Sequence, residues 1–151
     1  MMNGANPMKN VLILGANGQI AQIVEHRLLT EQADVNLTLF LRDSARLSQL
    51  AANPRVTIID GDITNYEQVN AAMQGQDLVY IAMVDHTKDN VITNNVIKAA
   101  QAQGVTRVIA SSLLGLYNEV PGEYGRWNYE MVQGCLPAAT HADELLFTSG
   151  P

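Results

Sequence analysis

Short apolar runs alternate with longer segments of helical period along this chain, and Gly, Pro, Asn or Asp mark the joins. Five of these runs predict strands because they are short and almost continuously apolar. They cover residues 10–15, 35–41, 55–60, 77–83 and 107–112. Strands of that texture are typical of parallel sheets that are buried on both faces.

The segments between the strands predict two long helices, over 18–32 and 90–104, and shorter ones near 44–52 and 65–74. The second long helix should end at Gly104. The expected buried positions are Ile20, Val24 and Leu28 in the first long helix, and Val91, Val96 and Ala99 in the second.

Right-handed crossovers between such elements give an α/β fold, a doubly wound parallel sheet of strand order 3-2-1-4-5. We expect residues 1–8 to be a loose tail and 9–151 to form a single domain. Residues 113–137, rich in Gly, aromatics and carboxylates, predict an irregular excursion before a last helix over 139–150. A helix leaving such a sheet ordinarily returns as another strand, so we expect a truncated chain or a partner over the open edge.

Composition narrows the function classes. The chain has 151 residues, a formal net charge of −6 and one cysteine, Cys135. That charge provides no basic surface for nucleic acid, and one cysteine cannot form an internal disulfide. No apolar run approaches the roughly 18 residues of a membrane span. A cytoplasmic protein with neither nucleic acid nor membrane as partner is expected.

The stretch "LGANGQIA" joins the first strand to the first helix and carries Gly15, Gly18 and Ala21. Gly15 would allow the sharp turn, Gly18 the close approach of a pyrophosphate to backbone N–H groups, and Ala21 close helix packing. The helix N-terminus favours an anion there. The alternative is that the small residues serve packing alone, but their position in a complete βαβ unit favours a dinucleotide.

The residues that follow the second predicted strand indicate which dinucleotide is expected. An NAD site ordinarily has an acidic residue there, whereas "FLRDSARL" has Arg42 and, one turn later, Arg46. Two guanidiniums suit a 2′-phosphate, so NADP(H) is the preferred cofactor, with NAD(H) possible because Asp43 follows directly. A solvated basic helix start is the alternative. Asp62, after the third strand, would accept the adenine amino group or serve as a helix N-cap or turn residue.

Other residues are weaker candidates. The histidines lie beside carboxylates without a recognised metal spacing, so no metal site is expected. His86 follows the fourth strand at the ligand-binding edge, where it would contact substrate. Trp127, with Tyr124 and Tyr129, would form a lid over an aromatic substrate or anchor the excursion.

With these segments in order, residues 9–112 resemble the atypical short-chain dehydrogenase/reductase group, the NmrA-like and biliverdin/flavin reductase-like NAD(P)H-binding proteins of Rossmann fold. "LGANGQIA", "FLRDSARL", "GDITNYEQVNAAMQGQDLVYIAM" and "GVTRVIASS" carry the resemblance. It implies phosphate contacts at the glycine turn, a 2′-phosphate site, adenine contacts and nicotinamide or ribose contacts. The implied cofactor-binding residues are, in that order, Gly15, Ala16, Asn17, Gly18, Gln19 and Ile20; Arg42 and Arg46; Asp62 and Ile63; and Ala82, Met83 and Ser111. It also implies a structural role for Asn95.

The chain departs from the classical and extended short-chain dehydrogenases/reductases, which use Tyr-x-x-x-Lys as a proton relay. No lysine follows Lys98, and the usual Ser/Thr position falls on Ser112 or Leu113, depending on the reference point. We therefore expect an NADPH-dependent reductase of a small planar acceptor, a flavin or quinone, with Ser111 or Ser112 as proton source. The alternative is a non-enzymatic NADP(H) sensor that binds a protein partner. A homodimer is also possible.

Overall fold

A computed structural model describes residues 7–149 of the chain. Five parallel strands form one sheet in the order β3-β2-β1-β4-β5. The strands are β1 (Lys9–Leu14), β2 (Val35–Leu41), β3 (Val56–Asp60), β4 (Leu78–Ile81) and β5 (Val108–Ala110). The predicted fold class and strand order are confirmed.

The α-helices are α1 (Gln19–Glu31), α2 (Tyr66–Met73), α3 (Val91–Gln103), α4 (Gly122–Val132) and α5 (Leu136–Thr148). Residues Ser44–Leu50 and Lys88–Asn90 form short 3-10 helices. Gly104, at φ +72°, ends α3 as predicted. No helix in residues 7–149 is long and apolar enough to cross a membrane.

Two apolar clusters cover the two faces of the sheet, which explains why the strands read as nearly continuous apolar runs. Leu12 and Leu14 of β1 point into the cluster that includes α2 and α3 residues. Val11 and Ile13 point into the cluster that includes Ala21 of α1. β1 is therefore buried from both sides, and its carboxyl end is held in place where the glycine turn begins.

The buried face of α1 differs from the prediction. Ile20 is 66% exposed, whereas Ala21 and Glu25 are fully buried and Val24 and Leu28 pack at the edge of the cluster. Period alone cannot decide which flank of a helix meets the sheet, and here small Ala21 permits the close approach. Val91 is likewise exposed in α3.

The region after β5 also differs. Residues 113–137 contain α4 rather than only irregular chain, and α5 begins at Leu136, earlier than expected. Gly122 and Gly125, which are poor helix formers, made α4 hard to predict. Its position is fixed by Asn128, a buried side chain that donates to the carbonyl of Leu114. Pro137 lies in the first turn of α5, where its missing N–H costs nothing. Residues 1–6 of the expected tail, and the expected C-terminus of the last helix, fall outside the described residues.

Candidate functional site

The glycine turn that follows β1 has a constrained backbone conformation. Gly15 has φ +79°, a left-handed value that disfavours side-chain-bearing residues. The N–H groups of Gly15 and Ala16 both donate to the carbonyl of Phe40, at 3.0 and 3.2 Å. Gly18 then donates to Gly15 O at 3.2 Å and forms the N-cap of α1. Ala16 is fully buried, so its side chain supports the turn from within.

The turn presents an uncapped helix N-terminus. Gly18 provides no side chain to cap α1, and no acidic residue lies in the first turn. First-turn N–H groups have no partner within their own helix, and the helix dipole adds partial positive charge. Gln19 and Ile20 are exposed at this end. Their position suits a phosphate held by backbone N–H groups.

Two glycines lie in close contact with side chains along the floor of the site. A Cβ on Gly15 would lie 3.1 Å from Cε of Met83, and one on Gly61 would lie 2.5 Å from Cζ of Phe40. The backbone therefore passes directly under these two side chains. A cradle lined by backbone in this way fits a flat, phosphate-bearing ligand such as a dinucleotide.

A cavity of about 520 Å³ opens over this floor at the carboxyl ends of β1, β2, β3 and β4. Of the predicted cofactor residues, it is lined by Gly15, Asn17, Gly18, Arg42, Arg46, Ile63, Ala82 and Met83. Ala16, Gln19, Ile20, Asp62 and Ser111 do not line it. A larger groove, of about 800 Å³, runs along β5 between α3 and α5 and contains none of the predicted residues.

Both arginines at one end of this cleft have acidic partners. Nη2 of Arg42 lies 3.0 Å from Oδ1 of Asp62, and Nε of Arg46 lies 3.3 Å from Oδ2 of Asp43. Both guanidiniums remain largely exposed. Hydrogen bonds from the hydroxyl and N–H of Thr64, followed by the bond from Arg42, lower the pKa of Asp62 to about 2. Asp62 is thus an anion that holds a turn and one arginine.

A matching Asp-x-Thr turn follows β4. Asp85 accepts bonds from the N–H and hydroxyl of Thr87, as Asp62 does from Thr64. Asp85 is buried and also accepts from the N–H and hydroxyl of Thr93 in α3, at 2.9 and 2.6 Å. Burial opposes its ionisation, but these hydrogen bonds outweigh burial and lower its pKa.

The same region is tied to α5. Asn90 is buried and has φ 51°. Its Nδ2 donates to the carbonyl of Ala138, and its Oδ1 lies 2.6 Å from Nδ1 of His141. Oδ1 of Asn90 carries no hydrogen, so it accepts from the Nδ1–H of His141. Asn95 of α3 donates to Ile63 O at 3.1 Å, which ties the helix to the loop after β3. The structural role implied for Asn95 matches that contact.

The two serine candidates differ in environment. Ser111 is half-buried beyond β5; its N–H donates to Ile81 O and its hydroxyl lies 2.9 Å from the Tyr80 hydroxyl. Ser112 is exposed. From the sequence, Tyr80 is predicted only as part of a strand, and neither Asp85 nor Asn90 is a predicted site residue. A repeated Asp-x-Thr after two strands was the available signal for Asp85.

The remaining candidates stand apart from the cleft. His86 is exposed and does not line it. Tyr124 and Trp127 pack at a ring distance of 5.5 Å, yet each is more than half exposed. Across residues 7–149, no group of three or more His, Cys, Asp or Glu side chains is arranged to hold a metal ion.

Comparisons with known proteins point to nucleotide binding. Residues 15–150 match the model of a family of NAD(P)H-binding proteins. A short-chain dehydrogenase/reductase from Veillonella parvula, solved with NADP, is 28% identical with a TM-score of 0.83, over 91% of this chain and 63% of that one. A Rossmann-fold NAD(P)-binding protein from Shigella flexneri is 34% identical with a TM-score of 0.67, over 95% and 63%.

An NADPH-dependent quinone oxidoreductase from Escherichia coli, complexed with NADPH, is 23% identical with a TM-score of 0.73, over 93% of this chain and 45% of that one. At that identity the likeness concerns the fold alone. The chain spans 63% of the length of the first two relatives. The glycine turn, the cleft above it and the match over residues 15–150 lead to one conclusion: the chain belongs to the NAD(P)H-binding family of Rossmann-fold proteins.

Proposed function

We propose that this protein is an NADPH-dependent reductase of a planar electron acceptor, a flavin or a quinone. The cleft that joins the glycine turn to Arg42, Arg46 and the end of β4 carries this proposal. A dinucleotide laid along it would have its pyrophosphate at Gly18 and its adenosine toward the arginines. Its nicotinamide would then lie toward Ala82, Met83 and Ser111.

The preference for NADP(H) over NAD(H) rests on the two arginines. Exposed guanidiniums can turn from their carboxylate partners toward a 2′-phosphate, and each can donate more than one charge-assisted hydrogen bond. Asp62 remains ionised because its pKa is about 2, so it holds Arg42 at the cleft until a nucleotide binds. Ionised Asp62 can also accept from an adenine amino group.

A reduced nicotinamide supplies the hydride for such an acceptor. The chain's own task is to orient the two rings, exclude water and supply one proton. The hydroxyl of Ser111 is the proposed proton source, with exposed Ser112 or water as alternatives. Residues four after Tyr117, Tyr124 and Tyr129 are Pro121, Asn128 and Gln133, so the Tyr-x-x-x-Lys relay of alcohol oxidation is absent from this sequence.

The test combines calorimetry with turnover. Titration with NADPH and NADH should give micromolar binding of NADPH and much weaker binding of NADH. Absorbance at 340 nm then follows NADPH oxidation with flavin mononucleotide and menadione. A protein that binds NADPH and oxidises it with neither acceptor is not this reductase.

A second candidate is a regulatory protein that binds NADP(H) and reports its occupancy to a protein partner. Tyr124, Trp127 and Met131 are exposed apolar side chains at helical spacing on one face of α4, and they support this candidate because an exposed apolar patch favours association. The partner could be another protein or a second copy of this chain. Partner binding that is equal with and without NADPH, measured by interferometry, would refute the sensor. For either function we propose a cytoplasmic location, in keeping with free Cys135.

A further inference from the structure

Tyr80 and Ser111 form a hydroxyl pair across two neighbouring strands. Tyr80 lies within β4, and Ser111 follows directly after the end of β5. Their hydroxyl oxygens are 2.9 Å apart. Tyr80 pairs in register with Ile109, so the phenol extends along the sheet to the residue two positions farther on. Diagonal neighbours at that offset lie within reach of an aromatic side chain.

The Tyr80–Ser111 pair lies beside the part of the cleft that is proposed to hold the nicotinamide. The N–H of Ser111 donates to Ile81 O, which puts Ser111 beside Ala82, a residue that lines the cleft. Tyr80 and Ala82 pack against the same apolar cluster, so the phenol and the cleft wall share one face of the sheet.

Packing alone does not require this hydroxyl, because phenylalanine would fill the same place in the strand. A half-buried phenol needs a hydrogen-bond partner, and Ser111 supplies it. A serine hydroxyl otherwise rotates among staggered positions. If the phenol donates to Oγ of Ser111, the serine proton is left free to bond with a ligand.

We propose that Tyr80 is a positioning residue for Ser111. Its phenol donates to Oγ of Ser111 and directs the serine O–H to the nicotinamide half of the bound cofactor, at the ribose or the carboxamide. The inference rests on the proposed NADP(H) site, but not on the identity of the acceptor. It assigns Tyr80 to recognition of one half of the dinucleotide.

The experiment compares two ligands by calorimetry, NADP⁺ and adenosine 2′,5′-bisphosphate, which lacks the nicotinamide half. Tyr80→Phe and Ser111→Ala should each weaken NADP⁺ binding about 3- to 10-fold, and the double variant should be no weaker than Ser111→Ala. Binding of adenosine 2′,5′-bisphosphate should be unchanged in all three. Ser111→Thr, which keeps the hydroxyl, should restore most of the affinity.

Tyr117→Phe is the matched control, because Tyr117 is an exposed tyrosine that lines the larger groove along β5 and not the cleft. Wild-type affinity for NADP⁺ in Tyr80→Phe, or an equal loss for both ligands, would overturn the positioning role. Losses that add fully in the double variant would also overturn it, because independent groups add. A wild type that binds neither ligand refutes the cofactor proposal and this inference together. A wild type that binds both but reduces no acceptor refutes only the reductase.

Discussion

The guanidinium of Arg42 and the carboxylate of Asp62 lie 3.0 Å apart, linking the end of β2 to the loop after β3. Both residues were predicted from sequence as cofactor contacts, but separately. Their pairing means that the cation assigned to the 2′-phosphate is already held at the cleft. Because the pair is exposed, its effect should appear in ligand selection more than in stability.

Arg42→Ala should weaken NADPH binding by on the order of 1 to 3 kcal/mol and leave NADH nearly unchanged, because only NADPH carries the 2′-phosphate. Calorimetric titration with both nucleotides measures the difference. Arg27→Ala is the control, since Arg27 is an exposed arginine whose partner, Glu31, lies on α1 away from the cleft. Equal losses for both nucleotides would contradict the 2′-phosphate assignment.

Gly15→Ala should abolish most NADPH binding. The new methyl group would meet Met83, a wall of the cleft, and Gly15 holds φ +79°. The flexible tip of Met83 can shift, so the stability loss should stay near the roughly 1 to 2 kcal/mol of a left-handed alanine.

Gly75→Ala is the matched control for that substitution. Gly75 has φ +72° and nothing within 4 Å of an added Cβ. It also lies at the amino-terminal ends of the strands, where Asn10 of β1 donates to its carbonyl, whereas the cleft lies at the carboxyl ends. Gly75→Ala should lose a similar free energy of unfolding, as measured with urea, and keep wild-type NADPH affinity. If Gly75→Ala lost as much NADPH affinity as Gly15→Ala, backbone strain alone would explain the effect of Gly15→Ala.

Glu25 predicts a pH dependence of stability. Its carboxylate is buried in α1, both oxygens lack a partner within residues 7–149, and burial raises its pKa from 4.5 to about 8. Between these values the folded protein holds a proton that the unfolded chain releases. The free energy of unfolding should therefore fall as pH rises from about 4.5 to about 8.

Glu25→Gln should flatten this slope and raise stability most at pH 8.5, as measured by urea unfolding at pH 5 and pH 8.5. Glu31→Gln, at an exposed site in the same helix, should retain the wild-type slope. Asp62 and Asp85 have lowered pKa values, so their effects fall below this window. An unchanged slope in Glu25→Gln would show that the carboxyl does not titrate between these values.

Asp85→Asn should destabilise the fold by about 2 to 3 kcal/mol, because four donors then face a neutral amide in place of a carboxylate. Asp77→Asn is the control, since exposed Asp77 accepts only the N–H of Asn10 among the side-chain bonds of residues 7–149. Urea unfolding at pH 7 compares them. A loss in Asp85→Asn no larger than in Asp77→Asn would mean that solvent satisfies these donors.

The strands, their order and the glycine turn were predictable because they depend on local pattern and on general rules of handedness. Gly15 and Gly104 both adopt the left-handed conformations that their positions required. The predicted 2′-phosphate arginines line the cleft for the same reason: each follows the end of a strand by a fixed, short distance.

Contacts between segments that are distant along the chain could not be predicted from the sequence. Nothing local marks Tyr80 as the partner of Ser111, or Asn90 as the partner of His141. Ile20, expected to be buried, is exposed because the small side chain of Ala21 faces the strands beneath α1 instead, and Glu25 lies on that same buried flank. The helical period of α4 was likewise hidden by residues that are poor helix formers, such as Gly125.

The central strand joins partners at very different distances along the chain. Lys9 of β1 pairs with Val35, but Val11 of the same strand pairs with Leu78. Since closing the shorter loop costs less entropy, we expect β1 and β2 to associate before β4 docks. Only the docking of β4 brings Ala82 and Met83 to the glycine turn. A dinucleotide held between them would recognise only the completed sheet, and we expect it to slow unfolding rather than to accelerate folding.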